Sequence, residues 1–130
     1  MVSASPRASS ASHYRRAICD VAATLGFSAP TADETPLARA LAARLMGHEV
    51  ASLNTVRSIL AIQPASTLVF REAGDISGLV ATLLLKSCAE PDLVSGRFDG
   101  LAPDDEALGR ADEPVSFYYV WGIAGATKTT

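Results

Sequence analysis

The sequence predicts an α+β domain, layered in the manner of α/β folds, in which N-terminal helices pack on a small, mostly antiparallel sheet. Three observations predict it. Helical periodicity fills most of residues 13–62. The stretch Ser66 to Leu85, S-T-L-V-F-R-E-A-G-D-I-S-G-L-V-A-T-L-L-L, reads as two strands about a tight turn. A strongly aromatic strand pattern, Val115 to Ala124, then extends the sheet.

Residues 1–12 read as a low-complexity, disordered arm and residues 13–130 as one domain. Tyr14, Ala17, Ile18, Val21, Ala22 and Leu25 recur at helical spacing, with Ser12 as N-cap and Gly26 as the stop. Phe27 to Glu34, with Pro30, is a connection. Thr35-Pro36 supplies an N-cap followed by proline at the first helical position. Leu37, Ala40, Leu41 and Leu45 share one face of that helix, which leaves Arg39 and Arg44 to solvent. Gly47 ends it. A third helix starts near Ser52 or Asn54, carries Leu53, Val56, Ile59 and Leu60, and stops at Gln63-Pro64.

In the hairpin, Thr67–Arg71 and Ile76–Leu85 are the arms and Ala73–Asp75 the turn. The second arm is almost wholly apolar, so it belongs in the middle of a sheet covered on both faces. Gly78 inside that arm marks a bulge or a close backbone approach. Lys86 to Pro114 is a long, acidic, turn-rich loop, with one short helix expected at Pro103–Leu108. Its acids, Asp104-Asp105-Glu106 and Asp112-Glu113, lack the glycine-and-Asx spacing of a calcium loop and read as a solvated face.

Composition narrows the function. In 130 residues, 48% are hydrophobic, 19% are charged and the net charge is −3, with the basic residues scattered. That argues against nucleic acid as a partner. No apolar run reaches the ~20 residues a membrane span needs, and the N-terminus has no apolar secretory core. Cys19 and Cys88 have no ligand spacing and read as buried thiols of a cytoplasmic protein. His13 and His48 stand alone, and no nucleophile elbow occurs.

The run Leu68-Val69-Phe70-Arg71-Glu72, then Gly74-Asp75-Ile76-Ser77-Gly78, then Leu79 to Leu85, followed by the aromatic strand ending W-G-I-A-G, resembles the N-terminal half of a GNAT-type acyl-CoA N-acyltransferase. The resemblance covers Asp33 to Gly125. It implies acyl transfer from an acyl-CoA to an amine, with acetyl-CoA or another acyl-CoA as cofactor and a small molecule or protein as acceptor. It places Gly122, Ile123 and Ala124 as the backbone segment facing the thioester. The family's pyrophosphate-binding loop should follow Ala124, where this chain has Gly125-Ala126-Thr127-Lys128-Thr129-Thr130. The module is therefore expected to be incomplete or degenerate, truncated after its central strand, and to bind acyl-CoA weakly or not at all by itself.

Catalytic residues stay unassigned. Glu72 and Glu113 are the carboxylates nearest the strands, and both read as solvated or loop positions. Ser116 and Tyr118 alternate with Phe117 and Tyr119 on opposite strand faces; sheet packing is the favoured reading of them, and one face lining a substrate cleft the alternative. Two further readings remain open: a non-catalytic interaction domain, and a small α+β binding domain of unknown ligand. For the former, the long aromatic final strand implies a homodimer whose interface includes Phe117, Tyr119 or Trp121.

Overall fold

A computed structural model describes residues 10–125. In chain order these form α1 (Ala11–Thr24), β1 (Phe27–Ser28), α2 (Thr35–Leu45), α3 (Leu53–Ile62), β2 (Thr67–Glu72), β3 (Asp75–Leu85), α4 (Glu90–Ser95) and β4 (Phe117–Gly125). The strands make one antiparallel sheet in the order β1-β2-β3-β4. The α+β expectation is met, and the hairpin forms where the sequence places it.

β3 sits between β2 and β4, and its two sets of alternating side chains meet different helices. Leu79, Ala81, Leu83 and Leu85 point to the side occupied by α2 and α3, where they join Ala38, Leu41 and Ile59. Val80 and Leu84 point to the other side, against α1 through Ala11, Ile18 and Ala22. Three layers result, which is why β3 needs apolar residues on both faces. Ser77 is an extra residue between the pairs Phe70↔Gly78 and Arg71↔Ile76, so a bulge lies beside Gly78 as expected. The hairpin turns at Ala73 and Gly74, both left-handed at φ 54° and 85°. That is the pair of positive φ values a two-residue turn of matching twist requires.

Several boundaries differ from expectation for physical reasons. α1 begins two residues before the expected Ser12 cap: Ser10 Oγ accepts the His13 N–H. Its first orphan N–H groups, on Ala11 and Ser12, donate to Glu113 O and Ala111 O, a long-range arrangement with no local signature. The expected arm therefore ends before Ser10, and the rest of it lies outside the described residues. Phe27–Ser28, expected as plain connection, pairs with Val69 and Phe70 as a fourth strand. The residue before it, Gly26, takes φ +87°, and an added Cβ would meet Phe70 Cε1 at 3.0 Å. Only glycine combines that turn with that approach.

α2 is prepared upstream of Thr35. Thr31 and Glu34 exchange bonds, with Thr31 N–H donating to Glu34 Oε1 and Glu34 N–H to Thr31 Oγ1. α2 also lies rotated from its expected orientation. Thr35, Ala38 and Leu41 are buried, whereas Leu37 is 60% exposed and Ala40 faces solvent. α3 starts after Ser52, whose Oγ accepts the Thr55 N–H. The long loop holds more than the one helix expected: α4, a 3-10 turn at Ser87–Ala89, and another at Asp105–Ala107 capped by Asp104. Both cysteines are exposed, not buried. α1 turns Ala11, Tyr14, Ile18 and Ala22 to the sheet, which leaves Cys19 outside. Cys88 reaches only the Glu106 carbonyl.

Two polar clusters tie the layers together. Gln63, buried at the end of α3, donates through Nε2 to Leu84 O and Gly109 O and accepts the Leu84 N–H on Oε1. It acts as a short substitute strand beside the end of β3. Arg71 of β2 donates to both carboxylate oxygens of Glu34, at 2.7 and 2.6 Å, and also reaches Ser28 and Ala29. One guanidinium thus fixes β1, its connection and the start of α2. Among the described residues no helix is long and apolar enough to cross a membrane.

Candidate functional site

Between α2 and the sheet lies a cavity of about 400 Å³, within the range of small-molecule sites. Its helical wall is Ala38, Arg39 and Ala42 of α2, with Val56 of α3. The strand wall is Thr67, Leu79 and Ala81, continued by Tyr119, Trp121 and Gly122 of β4. The connection Met46 to Ala51 forms the rim, and Gly100 and Leu101 close the far side.

Local chemistry explains this shape. β4 carries a bulge at Trp121, because Ala81 pairs with Gly122 and Thr82 with Val120. The bulge puts Trp121 and Gly122 consecutively on the cavity side, where strict alternation would allow one of them. Trp121 Nε1–H donates to Gly100 O at 2.7 Å, which holds the long loop over the sheet. Tyr119 packs its ring on Phe98 with centroids 4.7 Å apart. Gly122 is buried, and a Cβ there would meet Met46 Cε at 3.1 Å and Sδ at 3.3 Å.

Arg39, His48 and Glu49 border this largely apolar space, together with the phenol of Tyr119. Arg39 is half-buried, and its Nε donates to Ala51 O at 3.0 Å. The rest of its guanidinium has no hydrogen-bond or ion-pair partner among the described residues. His48 and Glu49 stand exposed on the rim. His48 Nδ1 lies 2.8 Å from the Glu49 carbonyl oxygen. A carbonyl only accepts, so Nδ1 carries a proton, and in the neutral ring Nε2 is then the nitrogen with the lone pair. A neutral imidazole in that tautomer is able to take a proton from a bound amine.

The residues expected to face a thioester divide. Gly122 lines the cavity, Ala124 is half-buried beside the α2 cluster, and the Ile123 side chain points away, 67% exposed on the opposite face. Only the backbone of Ile123 is left for such a role. Glu72 and Glu113 do not line the cavity. Glu113 is structural: Arg110 N–H and Lys86 Nζ donate to its carboxylate, which holds that group below its ordinary range. Glu34 is structural as well, held at about 2 chiefly by the Arg71 hydrogen bonds. Among the described residues no group of three His, Cys, Asp or Glu is placed to hold a metal ion. Gly125 is the last described residue, so the expected phosphate-loop position falls beyond it.

Arg39, His48 and Glu49 were not expected at a site. Nothing in their sequence spacing marks them, since Arg39 reads as an exposed helix position and His48-Glu49 as a turn. Comparison with protein-family models, with curated proteins and with solved structures gives no match.

Proposed function

We propose that the chain serves acyl transfer from a thioester to an amine, with the α2–sheet cavity receiving the acceptor and β4 receiving the acyl thioester. The observation that carries this reading is the Trp121 bulge, which sets Gly122 into the cavity wall while β4 has a paired strand on one side only among the described residues. The unpaired edge offers backbone N–H and C=O groups to the amides of an extended pantetheine-like arm, much as an added strand would be held. The order of a short strand, two helices and three antiparallel strands also suits the resemblance drawn from the sequence.

In this reading the amine nitrogen attacks the thioester carbon, backbone N–H groups near Gly122 stabilise the oxyanion, and the thiol leaves. His48 Nε2 takes the proton the amine loses and passes it to the departing thiolate, which leaves as the thiol. A phosphate cradle is not among the described residues, so the test uses a thioester without phosphates. The full chain is incubated with S-acetyl-N-acetylcysteamine and a panel of primary amines, and thiol release is followed. Release above uncatalysed aminolysis, lost in His48→Gln, is expected. Release at the uncatalysed rate with every amine, and equally with acetyl-CoA, refutes the proposal.

A second reading has its own observation. Tyr118, Val120 and Ile123 are 52%, 54% and 67% exposed on the α1 side of β4, an apolar strip at an open strand edge. Phe117, Tyr119 and Trp121, expected at a dimer interface, pack partly on their own chain and stay half-buried. Pairing of β4 with β4 of a second copy would be self-complementary about a two-fold axis and would bring the exposed strip together. Light scattering should then report twice the monomer mass, reduced to one by Val120→Lys. A monomer at micromolar concentration excludes this arrangement.

A further inference from the structure

We infer that the α2–sheet cavity is built for a zwitterion, an α-amino acid with an apolar side chain, its carboxylate on Arg39 and its ammonium toward Glu49. The inference names the acceptor for the acyl-transfer reading, and the binding it claims does not depend on that chemistry.

Two opposite charges border one cavity without bridging each other. Glu34–Arg71 and Lys86–Glu113 are the ion pairs among the described residues, and neither Arg39 nor Glu49 belongs to one. Arg39 is the informative member. A half-buried guanidinium beside alanines and a methionine has lost part of its hydration, and such a group ordinarily has an anionic partner. Its one intramolecular bond, Nε–H to Ala51 O, fixes the plane of the fork and leaves the terminal N–H groups for a planar acceptor. A carboxylate matches that fork with two parallel bonds.

Glu49 sits exposed at the rim, so an ammonium reaching it remains near solvent. The rest of the lining is mostly apolar, with Ala42, Met46, Leu79, Ala81 and Trp121 beside Thr67 and Tyr119, and takes a branched or aromatic side chain. Met46 adapts to its shape, since it is unbranched and its thioether lies over the small Gly122. A simple amine would leave Arg39 unmatched. A simple carboxylate would leave Glu49 unmatched.

Trp121 is the chain's single tryptophan and lines the cavity, so its fluorescence reports occupancy directly. The full chain is titrated with L-leucine, with 3-methylbutylamine, which lacks the carboxylate, and with 4-methylpentanoate, which lacks the amine. No thioester is present. L-leucine should bind about tenfold more tightly than either analogue. Arg39→Gln should weaken L-leucine about tenfold and leave 3-methylbutylamine unchanged, a split that general loosening of the fold would not produce. Glu49→Gln, an exposed change that spares the core, should weaken L-leucine and the amine and spare 4-methylpentanoate. Equal affinity for all three compounds overturns the inference, as does failure of every one to saturate by ~10 mM. Saturable leucine binding without thiol release would refute acyl transfer and keep the zwitterion site. Thiol release equally fast with amines lacking a carboxylate would keep acyl transfer and remove the zwitterion site.

Discussion

Replacing Gln63 by methionine tests how the helical and strand layers are joined. The amide is buried and makes three hydrogen bonds, two donated and one accepted. Methionine keeps the length and removes all three. Leu84 O retains a partner, because Gly109 N–H also donates to it at 2.9 Å. Leu84 N–H and Gly109 O lose the partner that Gln63 gave them, and both residues are buried. Each orphaned group costs about 1–3 kcal/mol. Burial of the thioether returns roughly 1 kcal/mol, so the net loss is about 3 kcal/mol. Urea unfolding followed by Trp121 fluorescence measures it as a lower midpoint at unchanged slope. Gln63→Glu sharpens the reasoning. It keeps an acceptor for Leu84 N–H but sets a second oxygen against two carbonyls unless protonated. A carboxyl there has its folded-state pKa raised, so its contribution is present below the unfolded value and lost as pH rises. The glutamate variant should accordingly recover stability on acidification while the methionine variant does not. A methionine variant within about 1 kcal/mol of the natural chain would refute this account of Gln63.

Ala73 holds φ 54° at the first central position of the hairpin turn, where asparagine tolerates the left-handed region better; Ala73→Asn should raise stability by about 0.5–1 kcal/mol, and an unchanged urea midpoint would contradict the strain. The Glu34 carboxyl, followed by NMR, should titrate near 2 rather than at its ordinary 4.5, and Arg71→Gln should return it upward. Because the folded value is depressed, the stability this pair contributes is present above 4.5 and lost as pH falls towards 2; a difference between natural chain and Arg71→Gln that stays constant over that window would count against the pairing. Ala42→Leu should fill the cavity, stabilise the fold by about 1 kcal/mol and abolish the Trp121 response to L-leucine; retained binding would place the ligand elsewhere.

The hairpin and the three main helices were legible because their signals are local: β-branched runs about Ala73-Gly74, and stripes bounded by Ser52, Gly26 and Gln63-Pro64. β1 was not, because two residues carry no periodicity and Phe27 becomes a strand only by meeting Phe70. The start of α1 was missed for a similar reason, since its first donors are satisfied by residues a hundred positions later. Of the residues that line the cavity, Gly122 was legible in the sequence through the family resemblance alone. Arg39, His48 and Glu49 were not, because which face α2 buries is decided by the whole layer.

That choice of face is what opens the cavity. A helix with Leu37, Leu41 and Leu45 would gain most apolar burial by turning all three inward. α2 instead leaves Leu37 60% and Leu45 39% exposed and presents Ala38 and Ala42, opposite Ala81 and Gly122 on the strands. Four small residues facing one another across a helix–sheet layer leave space that interiors ordinarily fill with side chains. The exposed leucines are apolar area left in water. Arg39, one turn from Thr35, is carried to the cavity wall by the same rotation, its guanidinium plane fixed by Ala51 O. Conflict between local pattern and adopted packing concentrates where a sequence has a task besides folding. In this chain the conflict, a guanidinium without an ion-pair partner among the described residues, and the bulge that sets Gly122 into the wall all meet at one place.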